Sequence, residues 1–340
     1  MTISDLARRF RLPAGLAVVV LLAGGAAQAA TLKIATLSPE GSAWMELLRA
    51  GGEEVAERTG GRVQFKFYPG GVMGDDKAVL RKIRLGQLHG AVLTSSGLVQ
   101  TYNDIQLYGL PLLFESYAEV DAVRAELDPV LIDGLRAEGF TSFGFAEVGF
   151  ARAMSRVPVT SVAEVQTQKV WTPDGDPGSA RALESFGVTP IPLSIADVLG
   201  GLQTGLINGV AVPPVAAIAL QWHTQLDYVM DLPLLYVYGM LAVANRPFER
   251  LSEADQAVVG EVMAGVVDQV NARARADDAN ALQALYGQGL ERTAPDAGEL
   301  DEWRAYAARA NREMVEDGLV SGELLERLQA LVEAHRAAVD

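Results

Sequence analysis

The sequence predicts an α/β fold of two interleaved lobes, and three observations carry that prediction. Residues 161–214 read as one continuous β-α-β-α-β run. A second β-α-β unit, residues 32–68, opens the chain far from the first. Strand and helix signals alternate along the remainder with no internal repeat or low-complexity linker, which suits interleaved lobes better than separate beads.

Residues 1–29 read as a targeting leader. Arg8, Arg9 and Arg11 give a positive start, residues 12–25 are apolar but short for a bilayer span, and Ala27-Gln28-Ala29 suits cleavage. Residues 32–37 then form the first strand, and Ser42 caps a helix whose Trp44, Leu47, Leu48, Gly51 and Val55 share a face. Residues 63–68 follow as a strand with Val63, Phe65 and Phe67 inward. The loop PGGVMGDD at 69–76 lacks the Lys-Ser/Thr of a phosphate cradle and carries two acids. It reads as a tight turn with aspartates capping a helix over 77–85, and two adjacent acids without a third ligand make no metal site. Residues 89–94 are a third strand ending in Thr94-Ser95-Ser96, hydroxyls placed either to meet a ligand or to cap a helix. LPLLF at 110–114 is extended, and Val120, Val123, Leu127, Leu131 and Leu135 put a long helix over 117–137. A strand over 140–145 precedes an expected crossing between lobes near 148–153.

In the central run, Ser161 with Glu164 and Ser194 with Asp197 read as capping boxes. Lys169-Val170-Trp171 is a short buried strand broken by Pro173, and Pro177 opens a helix carrying Ala180, Leu183 and Phe186 as far as Gly187. Residues 188–192 are extended, 195–204 helical with Gly205 at the end, and 210–212 extended again. In such parallel units ligands sit where the strands end. Beyond the run, 215–221 reads as helix, 226–230 as strand, and LLYVYGMLAVA at 234–244 as the longest strand signal, placed as the second crossing. Ser252 with Asp255 starts a helix continuing to Tyr286, and helices over 303–314 and 323–338 finish the chain. Lobe 1 then comprises 31–148 with 245–340, and lobe 2 comprises 149–244.

Composition excludes several functions. The net charge is −15, from 28 basic and 43 acidic residues, which argues against a nucleic-acid partner. There is no cysteine, hence no disulfide, thiol chemistry or Cys-type metal site. His89, His223 and His335 have no metal-ligand spacing and no G-x-S-x-G elbow is present, so neither an enzyme nor a cofactor is expected. Asp174 and Asp176 could serve glycoside chemistry, but a DGDP turn explains them as backbone-bonding residues.

Taken together, YPGGVMGDD, LPLLF, KVWTPDGDPGSARALESFGVTPIPL and LQTGLINGVAVPP resemble the solute receptors of tripartite ATP-independent periplasmic (TRAP) transporters, over nearly all of residues 31–330. The resemblance implies the two-lobe periplasmic binding protein fold with hinge crossings and a long bracing C-terminal helix. It also implies a periplasmic monomer that captures a small organic ligand between the lobes and delivers it to TRAP permease subunits in the membrane. In that family an arginine in the central strand clamps the ligand carboxylate, and here that position is Trp171. A second position, often arginine, is Ala151; the asparagine before the proline is Val212, the glutamate-like position is Thr94, and a polar position near the first strand is Leu37. With Asp174 and Ile195 these complete a mostly apolar ligand-binding set. The ligand implied has substantial apolar surface, lipid-like or aromatic, oriented by Trp171 and by Thr94 or Asp174. Two alternatives stay open: that Arg152 or Arg181 enters the pocket from another angle, and that the chain is a periplasmic carrier of a lipid-like molecule acting with a different partner.

Overall fold

A computed structural model describes residues 29–339, so the expected leader, with Arg8, Arg9, Arg11 and the apolar run 12–25, lies outside the described residues except for Ala29. The first elements alternate as their spacing predicts: β1 (Ala30–Thr36), α1 (Ala43–Arg58), β2 (Val63–Tyr68), α2 (Asp76–Arg84) and β3 (Gly90–Thr94). β1 pairs in parallel with both β2 and β3, so α1 and α2 are crossover helices. Ser42 and Asp75 cap them, accepting from the amides of Met45 and Ala78. After a short α3 (Ser95–Leu98), α4 (Tyr117–Ala137) buries completely all five apolar positions that predict it.

The strand expected over 140–145 is interrupted. It stops as β4 (Phe140–Ser142), Gly144 turns the chain with a φ of 132°, and β5 (Ala146–Ser155) begins. As far as Ala151, β5 lies antiparallel to β10 (Leu235–Ala244); from Arg152 onward it pairs with β8 (Gly209–Val212) and β9 (Tyr228–Met230). The passage between two sets of strands therefore falls inside the segment 148–153. The run 234–244 makes no such passage: β10 has β3 on one edge and β5 then β4 on the other, all within the first sheet. A strand paired on both edges and covered on both faces is apolar throughout, which gives the same sequence signal as a strand long enough to change sheets.

The second lobe follows in the predicted order: α5 (Val162–Val165), β6 (Trp171–Pro173), α6 (Pro177–Ser185), β7 (Ile191–Leu193), α7 (Val198–Thr204), β8, α8 (Pro214–Ala219) and β9. β6 and β7 are parallel, and a bridge from Val170 to Gly209 joins them to β8. Ser161 and Glu164 form the complete capping box. The one expected at Ser194 does not form, because its hydroxyl bonds the Asp197 carboxylate directly at 2.6 Å and the segment enters α7 through a 3₁₀ turn. At Ser252 only the hydroxyl half forms, since Arg62 takes the Asp255 carboxylate at 2.7 Å.

The chain ends with α9 (Asn245–Phe248), α10 (Glu253–Gly287), β11 (Glu291–Thr293), α11 (Ala297–Glu316) and α12 (Gly322–Val339). α10, 35 residues long, packs first on α1, then along β5, then on α8. The approach to α1 requires a glycine: a Cβ at Gly51 would stand 2.5 Å from Val266 Cγ2. This helix braces both lobes. α11 lies on α6, β11 pairs with β9, and α12 returns to α4.

Where β5 changes partners, α10 contributes a buried acid. Asp278 accepts from the Val215 amide at 3.3 Å and lies 3.9 Å from Arg152. Burial pushes its carboxyl up to about 6, against the pull of the Val215 amide and Arg152 and with a small push from Glu147. A free aspartate titrates near 4, so the folded chain holds this proton more tightly than the unfolded one. The resulting stability is fully present below about pH 4 and is lost as pH rises through about 6. Asp278→Asn is expected to flatten the stability profile between pH 4 and 6 and to gain roughly 1–2 kcal/mol at pH 8, as read by urea denaturation at several pH values. An unchanged profile would show that Asp278 does not titrate in that window.

Candidate ligand-binding cleft

A cavity of about 660 Å³ opens between the lobes. The ends of β1, β3, β6 and β8 reach it, as parallel α/β units place their strand ends around a ligand. Five of the seven residues expected to bind ligand line it: Leu37 after β1, Thr94 at the end of β3, Trp171 on β6, Ile195 before α7, and Val212 on β8. Thr94 stands at the cap position of α3 but its hydroxyl caps nothing, which leaves it available to a ligand.

The other two lie elsewhere. Ala151 pairs with Leu235 where β5 changes partners, and its methyl is fully buried in the packing there rather than in the cavity. Asp174 points across the cleft to Lys77 on α2, 2.6 Å away, and the neighbouring Gly175 carbonyl accepts from Gln100 at 2.8 Å. These contacts join lobe to lobe outside the lining. The DGDP turn therefore links the β6–α6 loop to α2 and to Gln100, and Asp176 caps α6 by accepting from the Ser179 amide at 2.9 Å.

Trp171 is nearly buried. Its indole N–H donates to the Leu193 carbonyl at 2.9 Å, and its ring meets Trp222 edge-on at 5.1 Å. With the polar handle taken inside the lobe, only the aromatic surface remains for a guest. Neither arginine held in reserve reaches the cavity. Arg152, on the opposite face of β5 from its neighbours, meets Asp231 at 3.4 Å; Arg181 bonds Asp317 at 2.7 Å and lies 3.4 Å from Glu313.

Charge on the lining is mostly negative. Glu147 is buried and already held by Arg275 at 3.0 Å and Tyr236 at 2.9 Å. Asp76 lines the cavity with no hydrogen-bond partner among the described residues, and burial, with the neighbouring Asp75, raises its carboxyl to about 6. Sequence reasoning treats both aspartates of the GDD triplet as caps, but a helix has one cap position and Asp75 fills it, which leaves Asp76 free to face the cleft. Trp44 and Trp222 are also on the lining; the sequence pattern places Trp44 only on the shared apolar face of its helix and gives Trp222 no signal. No cluster of three His, Cys, Asp or Glu able to hold a metal occurs among the described residues.

The sequence pattern of the bacterial extracellular solute-binding protein family 7, DctP, matches residues 34–317. Among relatives, the C4-dicarboxylate-binding periplasmic protein DctP of Rhodobacter capsulatus is 26% identical over 273 residues, 78% of this chain and 80% of that protein. The sialic acid-binding periplasmic protein SiaP of Vibrio cholerae is 22% identical over 288 residues, 83% of this chain and 88% of that one. The fold matches a TRAP periplasmic solute-binding protein from Desulfovibrio salexigens with bound orotic acid at a TM-score of 0.81 and 18% identity, covering 92% of this chain and all of that one, a full 100%. It also matches the sugar acid-binding protein DctPAm from Advenella mimigardefordensis, in complex with galactonate, at 0.83 and 15% identity, covering 91% and 99%. With the match spanning both lobes and the bracing helix, the chain belongs to the DctP-type solute-binding proteins of TRAP transporters, a family of periplasmic binding proteins rather than enzymes.

Proposed function

We propose that this receptor captures an organic acid with a large apolar body in the interlobe cleft and delivers it, as a monomer in the periplasm, to the membrane subunits of a TRAP transporter. The acid class follows its relatives, which are named for dicarboxylate and sialic acid and were solved with orotic acid and galactonate. The apolar body rests on one observation: Trp171, which the resemblance sets at the clamp position, has its N–H already used and lines the cavity together with Leu37, Ile195 and Val212. A carboxylate placed against that surface would lose several kcal/mol of hydration with nothing in return. An apolar body gains instead. Burying about 300 Å² at about 25 cal/mol per Å² contributes roughly 7–8 kcal/mol, which is what micromolar affinity requires before ordering costs. No helix among the described residues is long and apolar enough to cross a membrane, consistent with a receptor that works beside its transporter.

A titration panel tests the reading. Affinity is expected to rise with chain length across monocarboxylates from butanoate to decanoate and to be absent for succinate and glucuronate. Micromolar binding of either short or sugar acid would overturn it. The size and apolarity of the same cavity also favour a carrier of a lipid-like molecule with another partner; uptake by vesicles holding the TRAP membrane subunits, dependent on this receptor, would exclude that second reading.

A further inference from the structure

We infer that Arg273, at the rim of the cleft on α10, takes the acidic head of the ligand while the apolar body lies inward toward Trp171, so that the ligand is an amphiphilic monocarboxylate. The inference rests on the reading of the cleft as a site for an organic acid with an apolar body. Among the described residues that line the cavity, Arg273 is the one cation. It is exposed, and no acid among the described residues lies within ion-pair distance of it. Other arginines differ: Arg275, on the same helix, is committed to Glu147 and Asp121, and Arg152 and Arg181 to acids of their own.

The position decides the orientation of the guest. An exposed guanidinium can fork onto a carboxylate that keeps part of its hydration, so neither charge has to be buried. Val270 and Ala274 beside it line the cavity on the inward side of the same helix, which gives a bound molecule a polar end at the rim and an apolar path inward. The far carboxylate of a long diacid would lie inward against Trp171, Leu37 and Val212, where no described lining residue is a cation and its hydration would be lost unpaired. A single acid group is therefore admitted where a diacid is not.

Calorimetric titration of the full chain with decanoate, decanamide and decanedioate, at low and high salt, tests this. The wild type is expected to prefer decanoate to the other two. Arg273→Ala should weaken decanoate about tenfold, leave decanamide unchanged, and remove the salt dependence, as loss of one charge-assisted contact at a solvated rim implies. Undiminished decanoate binding by Arg273→Ala, or equal wild-type affinity for decanamide and decanoate, would overturn the head assignment while leaving the apolar-body reading intact. If neither ten-carbon monofunctional probe binds but succinate does, the parent reading fails and takes this one with it.

Discussion

Trp171→Ala is expected to abolish most of the affinity for an apolar acid and to destabilise the second lobe. The indole offers a guest an aromatic surface at β6, and removing contact with about 60 Å² of ligand costs about 1.5 kcal/mol, or more than tenfold in affinity. The fold loses more. The N–H bond to the Leu193 carbonyl fastens β6 to the end of β7, and the ring closes one side of Trp222. Truncating a buried tryptophan costs about 3–5 kcal/mol, and the lower end applies because this ring already borders a cavity. Trp171→Phe separates the two effects: it keeps an aromatic surface and removes the N–H, so about 1 kcal/mol of stability should go while decanoate binding stays within a few fold. Denaturation and titration on both variants check it. A folded Trp171→Ala protein that binds decanoate like the wild type would remove the indole from the site.

What the sequence made legible, and what it hid, follows from the range of the interactions. Local signals read well: the five apolar positions of α4, the Ser161 box, and the Pro177 start and Gly187 end of α6 all depend on residues within a turn or two of each other. Five cleft residues were legible through the resemblance, because a strand end of a parallel unit must face the ligand. The crossing near 148–153 was legible, but the full strand that makes it was not. β5 contains Glu147, Gly149 and Arg152, which read as polar interruptions until their partners are known, and Arg275 lies 128 residues beyond Glu147 and Asp231 lies 79 beyond Arg152. Asp174 was misplaced for the same reason. Its partner, Lys77, is 97 residues earlier on the other lobe. Arg273 gave no signal at all, since a lone arginine on a long helix looks like any solvated face.

The ionic knot where β5 begins is where the largest loss of stability is expected. Arg275 forks onto Glu147 at 3.0 and 3.2 Å, reaches Asp121 on α4 at 2.9 and 2.5 Å, and lies over the Tyr117 ring at 4.6 Å. The two acids are unequal. Glu147 is 1% exposed whereas the Asp121 side chain is 58% exposed, so the same guanidinium makes one buried pair and one solvated pair. Arg275→Ala would leave Glu147 buried with only the Tyr236 hydroxyl to donate to it, a loss of about 3–5 kcal/mol. Asp121→Ala should cost under about 1 kcal/mol, because water replaces what is lost. Much of the Arg275 penalty comes from the stranded charge, so Glu147→Gln combined with Arg275→Met should recover a large part of it, and urea denaturation of the three variants measures each step. Equal losses for Arg275→Ala and Asp121→Ala would contradict the burial argument. The knot joins α4, β5 and α10 just ahead of the point where β5 leaves the first sheet, so a loosened Arg275→Ala protein should also close less sharply on decanoate, with affinity falling together with stability; Asp121→Ala should leave both in place.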